Sequence, residues 1–282
     1  MGECVIIYGK SGSGKSRSLI NFGEDEIFLV NVIGKRLPFR SKFKYTINTD
    51  SISKIKSGLK KMPTKTAVID DAGYLMTNAF MRGHSAPRSG SSSFDLFNAI
   101  ADDFWGLLTF IKEELPEDII VYITIHEDTN DYGETKIRTI GKLLSEKVCI
   151  EGMATIVLRC VVRDGKHLFL TQSNDNDISK SPEGMFELEI DNDLKAVDKI
   201  IREFWGFNMA RFETGISGYI KGSYTAEIYF PVDLRGNAHI NCEQCYYFNS
   251  NTKRCRLNGE VCQFPDKYVG GNCPLDIETE NE

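Results

Sequence analysis

The chain has 282 residues, 34 basic and 40 acidic side chains, and a formal net charge of −6 at pH 7. Its 41% hydrophobic and 26% charged content is typical of soluble globular proteins, which excludes global disorder and leaves enough apolar residues for a sizeable core. No apolar run approaches the roughly 20 residues of a membrane span, and the N-terminus lacks signal-peptide features, so we expect a cytoplasmic protein without a membrane partner.

The first predicted elements are a strand, a loop and a helix. Cys4–Tyr8 is a short apolar run that ends at a glycine, and a helical pattern follows Lys15. Residues Gly9–Ser16 fit the pattern G-x-x-x-x-G-K-[ST]. Because this pattern lies between a predicted strand and a predicted helix, it indicates a phosphate-binding loop.

Further apolar segments alternate between strand and helix patterns along the chain. A helical pattern covers Phe94–Leu115 and stops at Pro116. Predicted strands are Ile27–Ile33, Thr66–Asp70, Ile119–Ile125, Ala154–Leu158 and Lys166–Leu170. This alternation predicts an α/β fold with a mainly parallel central sheet and leaves room for an antiparallel edge near its end.

The core pattern fades after Trp205, where glycines interrupt a polar region. We therefore predict a nucleotide-binding domain over residues 1–205, a connector over 206–236 and a cysteine-rich module over 237–282. The acidic end, Asp276–Glu282, is expected to fray.

The predicted loop indicates how a nucleotide would be held. Glycines let backbone N–H groups surround phosphate oxygens, and Lys15 would neutralise the β- and γ-phosphates. The residues expected to contact nucleotide are those of the loop together with one acid: Gly9, Lys10, Ser11, Gly12, Ser13, Gly14, Lys15, Ser16 and Asp70. Ser16 and Asp70, which ends a predicted neighbouring strand, would hold Mg²⁺.

Asp71 follows directly and is a candidate general base that orients the attacking water. The alternative is a structural role as the N-cap of a helix over Tyr74–Met81.

With these residues the chain resembles the RecA-like P-loop ATPases, specifically the phage recombination ATPases grouped with single-strand annealing proteins. The resemblance covers about residues 1–190 and rests chiefly on Gly9–Ser16 and on Val68–Asp71. Weaker support comes from the order of the following segments: Ile123–Glu127, Gly141–Lys147, Phe169–Ser173 and Ser181–Phe186.

The resemblance implies a polar γ-phosphate sensor at His126, for which the alternative is a histidine hydrogen-bonded at a strand end. One feature departs from the family, because the strand Phe28–Ile33 has no catalytic glutamate at its end. Asp71 or Glu127 would then act as the base, or hydrolysis is slow.

Two loops of the RecA arrangement face DNA, and they match residues Arg82–Ser93 and Asp128–Ile140 here. Candidate phosphate contacts are Arg82, Arg88, Lys136 and Arg138, although surface linkers have the same composition. Residues 35–65 hold ten basic residues and one acid, a net charge of +9 that leaves −15 for the remainder of the chain. This basic segment, with Phe39, Phe43 and Tyr45, could stack on unpaired bases or form a solvated basic face.

Five of the eight cysteines fall in the last 41 residues. In a cytoplasmic protein, the pair Cys242-x-x-Cys245 with further cysteines nearby indicates a metal-binding site rather than a disulfide bond. We favour a structural zinc ion held by Cys242, Cys245, Cys255 and Cys273, with Cys262 as an alternative ligand and His239 as a weaker one. An iron–sulfur cluster would use the same thiolates and is the alternative to zinc.

The resemblance implies an ATPase that binds single-stranded DNA and promotes phage recombination by annealing or strand exchange, in the host cytoplasm. It also implies a nucleotide-dependent homo-oligomer, and we name a single-strand DNA-binding protein as a further candidate partner. Two alternatives stay open. One is a DNA motor of helicase or packaging type, and the other is a nucleotide-switched, zinc-bearing adaptor that loads recombination or replication proteins.

Overall fold

The computed structural model describes residues 1–84, 93–141, 143–207, 213–220, 224–231, 242, 248–249, 252–255, 259, 261, 263 and 275–279. They belong to two compact units, Met1–Phe204 and Trp205–Glu282. Among the helices of these described residues, none combines the length and the apolar content needed to cross a membrane.

The first unit contains a mostly parallel sheet of nine strands. Its mutually parallel strands are β1 (Glu3–Gly9), β2 (Ile27–Asn31), β3 (Tyr45–Asn48), β4 (Thr66–Asp70), β5 (Ile120–Thr129) and β7 (Ile156–Arg163). The antiparallel strands are β6 (Thr135–Ile137), β8 (Lys166–Leu170) and β9 (Glu189–Asp191). The order is β3-β2-β4-β5-β1-β7-β8-β9, with β6 paired to β5 alone.

The prediction of an α/β fold with a mainly parallel sheet and an antiparallel edge is confirmed. Strands β2 and β4 are buried along their whole length, as their continuous apolar runs indicate for a sheet covered on both faces. Strand β5 lies between β1 and β4, with Gly9 opposite His126 and Ile69 opposite Ile123. The carboxyl ends of these three strands therefore meet at one edge of the sheet.

Helices cover both faces of this sheet. Helices α1 (Ile52–Lys61), α2 (Gly73–Gly83) and α3 (Ser93–Glu114) share one core cluster with alternate residues of the strands, among them Ile6 and Ile123. Helix α4 (Leu194–Trp205) lies on the opposite face of the sheet. Its Asp198 accepts hydrogen bonds from Tyr122 and Thr66, which alternate along the strands with the residues of that core cluster. Of the four helices, the sequence predicted α3 and α2, while α1 and α4 were missed.

The buried end of α4 is fixed by one ion pair. Arg202 Nε lies 2.7 Å from Asp198 Oδ2, and the same guanidinium donates to the carbonyl oxygens of Lys65 and Asp118 at 2.9 Å. Buried charges are tolerated when they are paired and hydrogen-bonded in this way. This network lies at the amino ends of β4 and β5, away from the edge where Gly9 and Asp70 meet.

The predicted helix after Lys15 is wrong. The chain forms only a short 3-10 turn, Arg17–Leu19. Serine, asparagine and glycine are weak helix formers, and they supply Ser16, Ser18, Asn21 and Gly23 here. The Ser18 hydroxyl donates to the Lys15 carbonyl at 2.6 Å, a local bond that competes with regular helix.

Much of the predicted loop over residues 128–140 is a β-hairpin. Strand β5 continues to Thr129 and pairs with β6, with Asp128 opposite Lys136. The Asn130 side chain accepts from the backbone N–H groups of Tyr132 and Glu134 at 3.0 and 2.9 Å, and Gly133 has a positive φ of 83°. These contacts are typical of a tight turn.

The second unit contains antiparallel strands. Strand β10 (Glu213–Ile220) pairs with β11 (Tyr224–Pro231) and with β14 (Leu275–Thr279). Strands β12 (Phe248–Asn249) and β13 (Arg254–Cys255) form a separate short pair. The expectation that the acidic end frays is wrong for the residues up to Thr279, because they complete a strand against β10.

Candidate functional site

A cavity of about 310 Å³ opens at the carboxyl edge of the sheet, where β1, β4 and β5 end. Crevices at the carboxyl ends of parallel strands are the usual ligand sites of α/β proteins. The cavity is lined by residues Ser11, Gly12, Gly14, Lys15, Ser16, Arg17, Lys35, Arg36, Pro38, Asp71, His126 and His167. The fold thus brings the predicted loop together with Asp71 and His126.

Two glycines of the loop are required by its geometry. A Cβ at Gly9 would collide with the backbone carbonyl oxygen of Cys160 on β7. Gly14 has a φ of 110°, and a Cβ there would lie 2.7 Å from His167 Nδ1. The loop thus needs glycine at position 9 because β7 approaches closely, and at position 14 because other residues adopt that backbone only with strain.

Lys15 is buried inside the loop that precedes it. Its Nζ donates to the carbonyl oxygens of Gly9 at 2.9 Å and Lys10 at 2.8 Å. Burial lowers the pKa of Lys15, while Cys160 and the carboxylates of Asp71 and Asp70 act in the opposite direction. An ammonium group held only by carbonyl oxygens can exchange them for phosphate oxygens, which carry more charge.

Ser16, Asp70 and Thr124 form a hydrogen-bonded group at the end of β4. Ser16 Oγ lies 2.9 Å from both carboxylate oxygens of Asp70, and Thr124 Oγ1 donates to Asp70 Oδ1 at 2.7 Å. Burial, followed by the charge of Asp71, raises the pKa of Asp70, while both hydroxyl donors lower it. A carboxylate beside a hydroxyl supplies the hard oxygen donors that Mg²⁺ prefers, so the predicted pair fits that ion.

Asp71 is held in the left-handed backbone region, with a φ of 59°. Its N–H donates to Thr124 Oγ1 at 2.8 Å, and its carboxylate forms an ion pair with the Lys35 ammonium. The alternative role as a helix N-cap is not observed. Helix α2 is preceded by Ala72 and has no side-chain cap hydrogen bond.

His126 lies within β5, opposite the last residue of β1, Gly9, where it lines the cavity. Its ring makes an edge contact with Tyr74, the ring centres being 6.1 Å apart. Burial lowers the pKa of His126, as do the positive charges of Lys15, Lys35 and Arg138, while Asp71 opposes them. A neutral imidazole can both donate and accept a hydrogen bond.

Glu127 does not line this cavity. Arg159 holds its carboxylate from two nitrogens, Nε at 3.0 Å and Nη2 at 3.3 Å. Consecutive residues of a strand face opposite sides of the sheet, which separates Glu127 from His126. Of the two candidate bases, only Asp71 lies in the cavity.

The candidate DNA contacts are dispersed. Arg82, at the end of α2, forms an ion pair with Asp50 and lines a second, larger cavity of about 550 Å³ between α1, α2 and α3. None of the predicted phosphate-loop residues lines that cavity. Lys136 and Arg138 are exposed on and beside β6, and Arg88 lies outside the described residues.

The basic segment over residues 35–65 is divided between several environments. Lys35 pairs with Asp71, Lys60 with Glu114 at 2.6 Å and Lys65 with Asp118 at 2.6 Å. Phe39 and Phe43 pack edge to face, with ring centres 6.3 Å apart. The charge available to a polyanion is therefore smaller than the net sequence charge of this segment.

The predicted zinc ligands lie partly outside the described residues. Cys242 is buried and Cys255 is half-buried, whereas Cys245, Cys262, Cys273 and His239 are not among the residues described. Within the described part of the chain, no group of three or more His, Cys, Asp or Glu side chains could hold a metal ion. The zinc site and the alternative iron–sulfur cluster stay predictions.

Sequence reasoning assigned no role in the nucleotide site to Thr124, Lys35, Arg36 or His167. Thr124 falls inside the sensor-strand segment, and Lys35 follows a strand and a glycine, so both had a weak positional signal. His167 lies within β8 and donates from Nδ1 to the Ser13 carbonyl oxygen at 2.7 Å. No sequence pattern links β8 to the loop, because the contact depends on the fold of the sheet.

The sequence matches no protein-family model, and no curated protein matches it.

Proposed function

We propose that this protein binds and slowly hydrolyses ATP on a RecA-like core, binds single-stranded DNA and promotes phage DNA recombination by annealing or strand exchange. The observation that carries the nucleotide part is the meeting of Lys15, Ser16, Asp70 and Asp71 at one edge of the sheet. Lys15 and Ser16 lie in the loop after β1, while Asp70 and Asp71 lie at and after the end of β4, which is not a neighbour of β1. Each residue has the chemistry that a nucleotide–magnesium complex needs.

In this proposal the phosphate tail enters the cavity and the Lys15 ammonium moves from the loop carbonyls to phosphate oxygens. Ser16 and Asp70 would hold Mg²⁺, which supplies charge neutralisation at the phosphates when bound. Water attacks the terminal phosphorus, and the bond between this phosphorus and the oxygen that bridges it to the β-phosphate breaks. Asp71 accepts the water proton, and the products are ADP and phosphate. His126, at the cavity wall, donates to a terminal phosphate oxygen.

Slow turnover is part of the proposal. The P-loop is followed by a short 3-10 turn, so the phosphates lack the field of a long helix. Asp71 is paired with Lys35, and Glu127 is held by Arg159. Both candidate bases are thus engaged, which favours a nucleotide-switched adaptor over a fast DNA motor as the second candidate function.

The DNA part of the proposal is supported by exposed positive charge. Lys136 and Arg138 belong to the hairpin segment after β5, whose strand also carries His126. The backbone N–H of Arg138 donates to the His126 carbonyl at 2.8 Å. A change at His126 on nucleotide binding would therefore reach the hairpin directly, which is how ATP could alter DNA affinity.

The deciding experiment measures ATP binding and turnover, with and without a single-stranded oligonucleotide, for wild type, Lys15→Ala and Lys199→Met. Lys199 is a matched control because it is 74% exposed on α4. We expect wild type and Lys199→Met to bind Mg·ATP equally, and Lys15→Ala to lose about tenfold or more in affinity, as removal of a charge-assisted phosphate contact does.

DNA affinity is measured in parallel by fluorescence anisotropy. We expect oligonucleotide affinity to rise with ATP and to fall steeply with salt, because phosphate contacts release counterions. Equal ATP affinity in wild type and Lys15→Ala would refute the nucleotide site. ATP binding without any oligonucleotide binding would refute the recombination role and leave the adaptor.

A further inference from the structure

The turn after β2 is built around Asn31. Its Oδ1 accepts from the Gly34 N–H at 2.9 Å, and its Nδ2 donates to the Lys35 carbonyl oxygen at 2.6 Å. Gly34 has a positive φ of 70°, which the turn needs to bring the chain back. Asn31 itself does not line the cavity, but the two residues after this turn, Lys35 and Arg36, do.

Lys35 and Asp71 form an ion pair whose two members differ greatly in burial. The Asp71 side chain is 3% exposed and the Lys35 side chain 47% exposed. Asp71 is also fixed by its backbone bond to Thr124 and by its left-handed conformation. If the pair separates, Lys35 is therefore the partner that moves, since its long stem already lies at the surface.

We propose that Lys35 senses the terminal phosphate: it neutralises Asp71 in the nucleotide-free site and transfers to the triphosphate when one binds. Asn31 is the positioning residue that presents Lys35. Transfer leaves the Asp71 carboxylate free to accept the proton of the attacking water. The inference rests on the proposed function, because it names a further residue of the same site.

The charges of the cavity favour this transfer. Lys35 exchanges one carboxylate for a terminal phosphate that carries more negative charge, and it stays inside the cavity in both states. ADP has no terminal phosphate at that place, so Lys35 remains on Asp71. The pair thus makes the base available only when the bound nucleotide is a triphosphate.

The test is a double-mutant cycle in which calorimetry measures the affinity for Mg·AMP-PNP, a non-hydrolysable triphosphate, and for Mg·ADP. The variants are Lys35→Met, Lys35→Arg, Asp71→Asn and the double variant, with Lys199→Met as the control. We expect Lys35→Met to weaken AMP-PNP binding about tenfold and ADP binding less than twofold, while Lys35→Arg keeps the preference for the triphosphate.

Asp71→Asn gives the sharper readout. Since Lys35 no longer has to leave a carboxylate, we expect this variant to bind AMP-PNP several-fold more tightly than wild type while turning over ATP more slowly. The gain in affinity should vanish in the double variant. A residue that only supported the fold would weaken both nucleotides alike, and circular dichroism melting checks that each variant is folded.

The outcomes separate the two proposals. If wild type binds neither nucleotide, the proposed function fails and the inference falls with it. If wild type binds both nucleotides, but Lys35→Met loses affinity for them equally, the inference alone is refuted. The same conclusion follows if the gain of Asp71→Asn persists without Lys35.

Discussion

Ser16 Oγ lies 2.9 Å from each carboxylate oxygen of Asp70, although 54 positions separate the two residues along the chain. The contact joins the end of the predicted phosphate loop to the end of β4, and strand β5 lies between β1 and β4. Thr124, on β5, donates to the same carboxylate at 2.7 Å. Three separate segments therefore converge on Asp70.

We expect Asp70→Asn to fold normally and to lose magnesium-dependent nucleotide binding. Asparagine has the same shape, can accept from Thr124 and can donate to Ser16, and it removes one of two neighbouring buried carboxylates. Its free energy of unfolding should equal that of wild type or exceed it by about 1 kcal/mol. Urea denaturation measures this, and calorimetry should show about tenfold weaker Mg·ATP binding. A folded variant with unchanged magnesium dependence would contradict the assignment of Asp70.

Thr124→Val should reduce stability. The valine keeps the shape but removes the hydroxyl that donates to Asp70 and accepts from the Asp71 N–H. Both buried partners would lose a hydrogen bond, which costs about 1–3 kcal/mol. Thr124→Ser retains the hydroxyl and should recover most of the loss in a urea denaturation series. A valine variant as stable as wild type would show that these bonds contribute little.

Glu3 is expected to make stability depend on pH. Burial raises the pKa of Glu3 from 4.5 to about 7 in the folded protein, and the Lys112 charge opposes this only partly. The folded state therefore binds the proton of Glu3 more tightly than the unfolded state does. As the pH rises from 4.5 to about 7, the free energy of unfolding falls. Glu3→Gln should therefore match wild type near pH 4.5 and be more stable at pH 8, by on the order of 2–3 kcal/mol.

The control for this pH series is Glu203→Gln, because Glu203 is 56% exposed and its ion pair with Lys199 is a surface pair. Surface pairs contribute about 0–1 kcal/mol, so this variant should follow wild type at every pH. Thermal unfolding at pH 5 and pH 8 is sufficient for the comparison. A Glu3→Gln variant with the pH response of wild type would exclude Glu3 as the titrating group.

The cysteine-rich segment is expected to contain one zinc ion per chain. Elemental analysis of purified protein measures zinc and iron together, and stoichiometric iron with visible absorption would identify an iron–sulfur cluster instead. Cys245→Ser should lower the metal content, while Cys149→Ser, at an exposed site in the first unit, should not. A chain that contains neither metal would refute both forms of the hypothesis.

Long apolar runs made most of the sheet predictable. Strand β4 was predicted with its observed bounds, and α3 within one residue at each end, because a continuous buried run and a 3.6-residue period are local properties of the sequence. The helix predicted after Lys15 was wrong, because the helical pattern that suggested it is opposed by the serines and Gly23 in the same segment. Helix α1 was missed because its ten residues include four lysines, and only Ile55 and Leu59 are buried.

The composition of the site was partly predictable in the same way. The spacing of Gly9, Gly14 and Lys15 is local, so the sequence by itself determined that a glycine-rich loop with a lysine follows β1 and that two acids stand at the end of β4. Only the tertiary structure decided which groups share the cavity, because that depends on the order of strands in the sheet and on their register.

The order of the strands brought Thr124 and Asp71 together. Glu127 is kept out of the cavity because its side chain lies on the opposite face of the sheet from His126, where Arg159 holds its carboxylate. The same order brought Lys35, which follows β2, to Asp71, which follows the neighbouring strand β4. The position of Lys35 after a strand and a glycine did not identify this partner. Local motifs fix the chemistry that a chain carries, whereas contacts between distant residues depend on how burial arranges the whole sheet, and a single sequence does not show that arrangement.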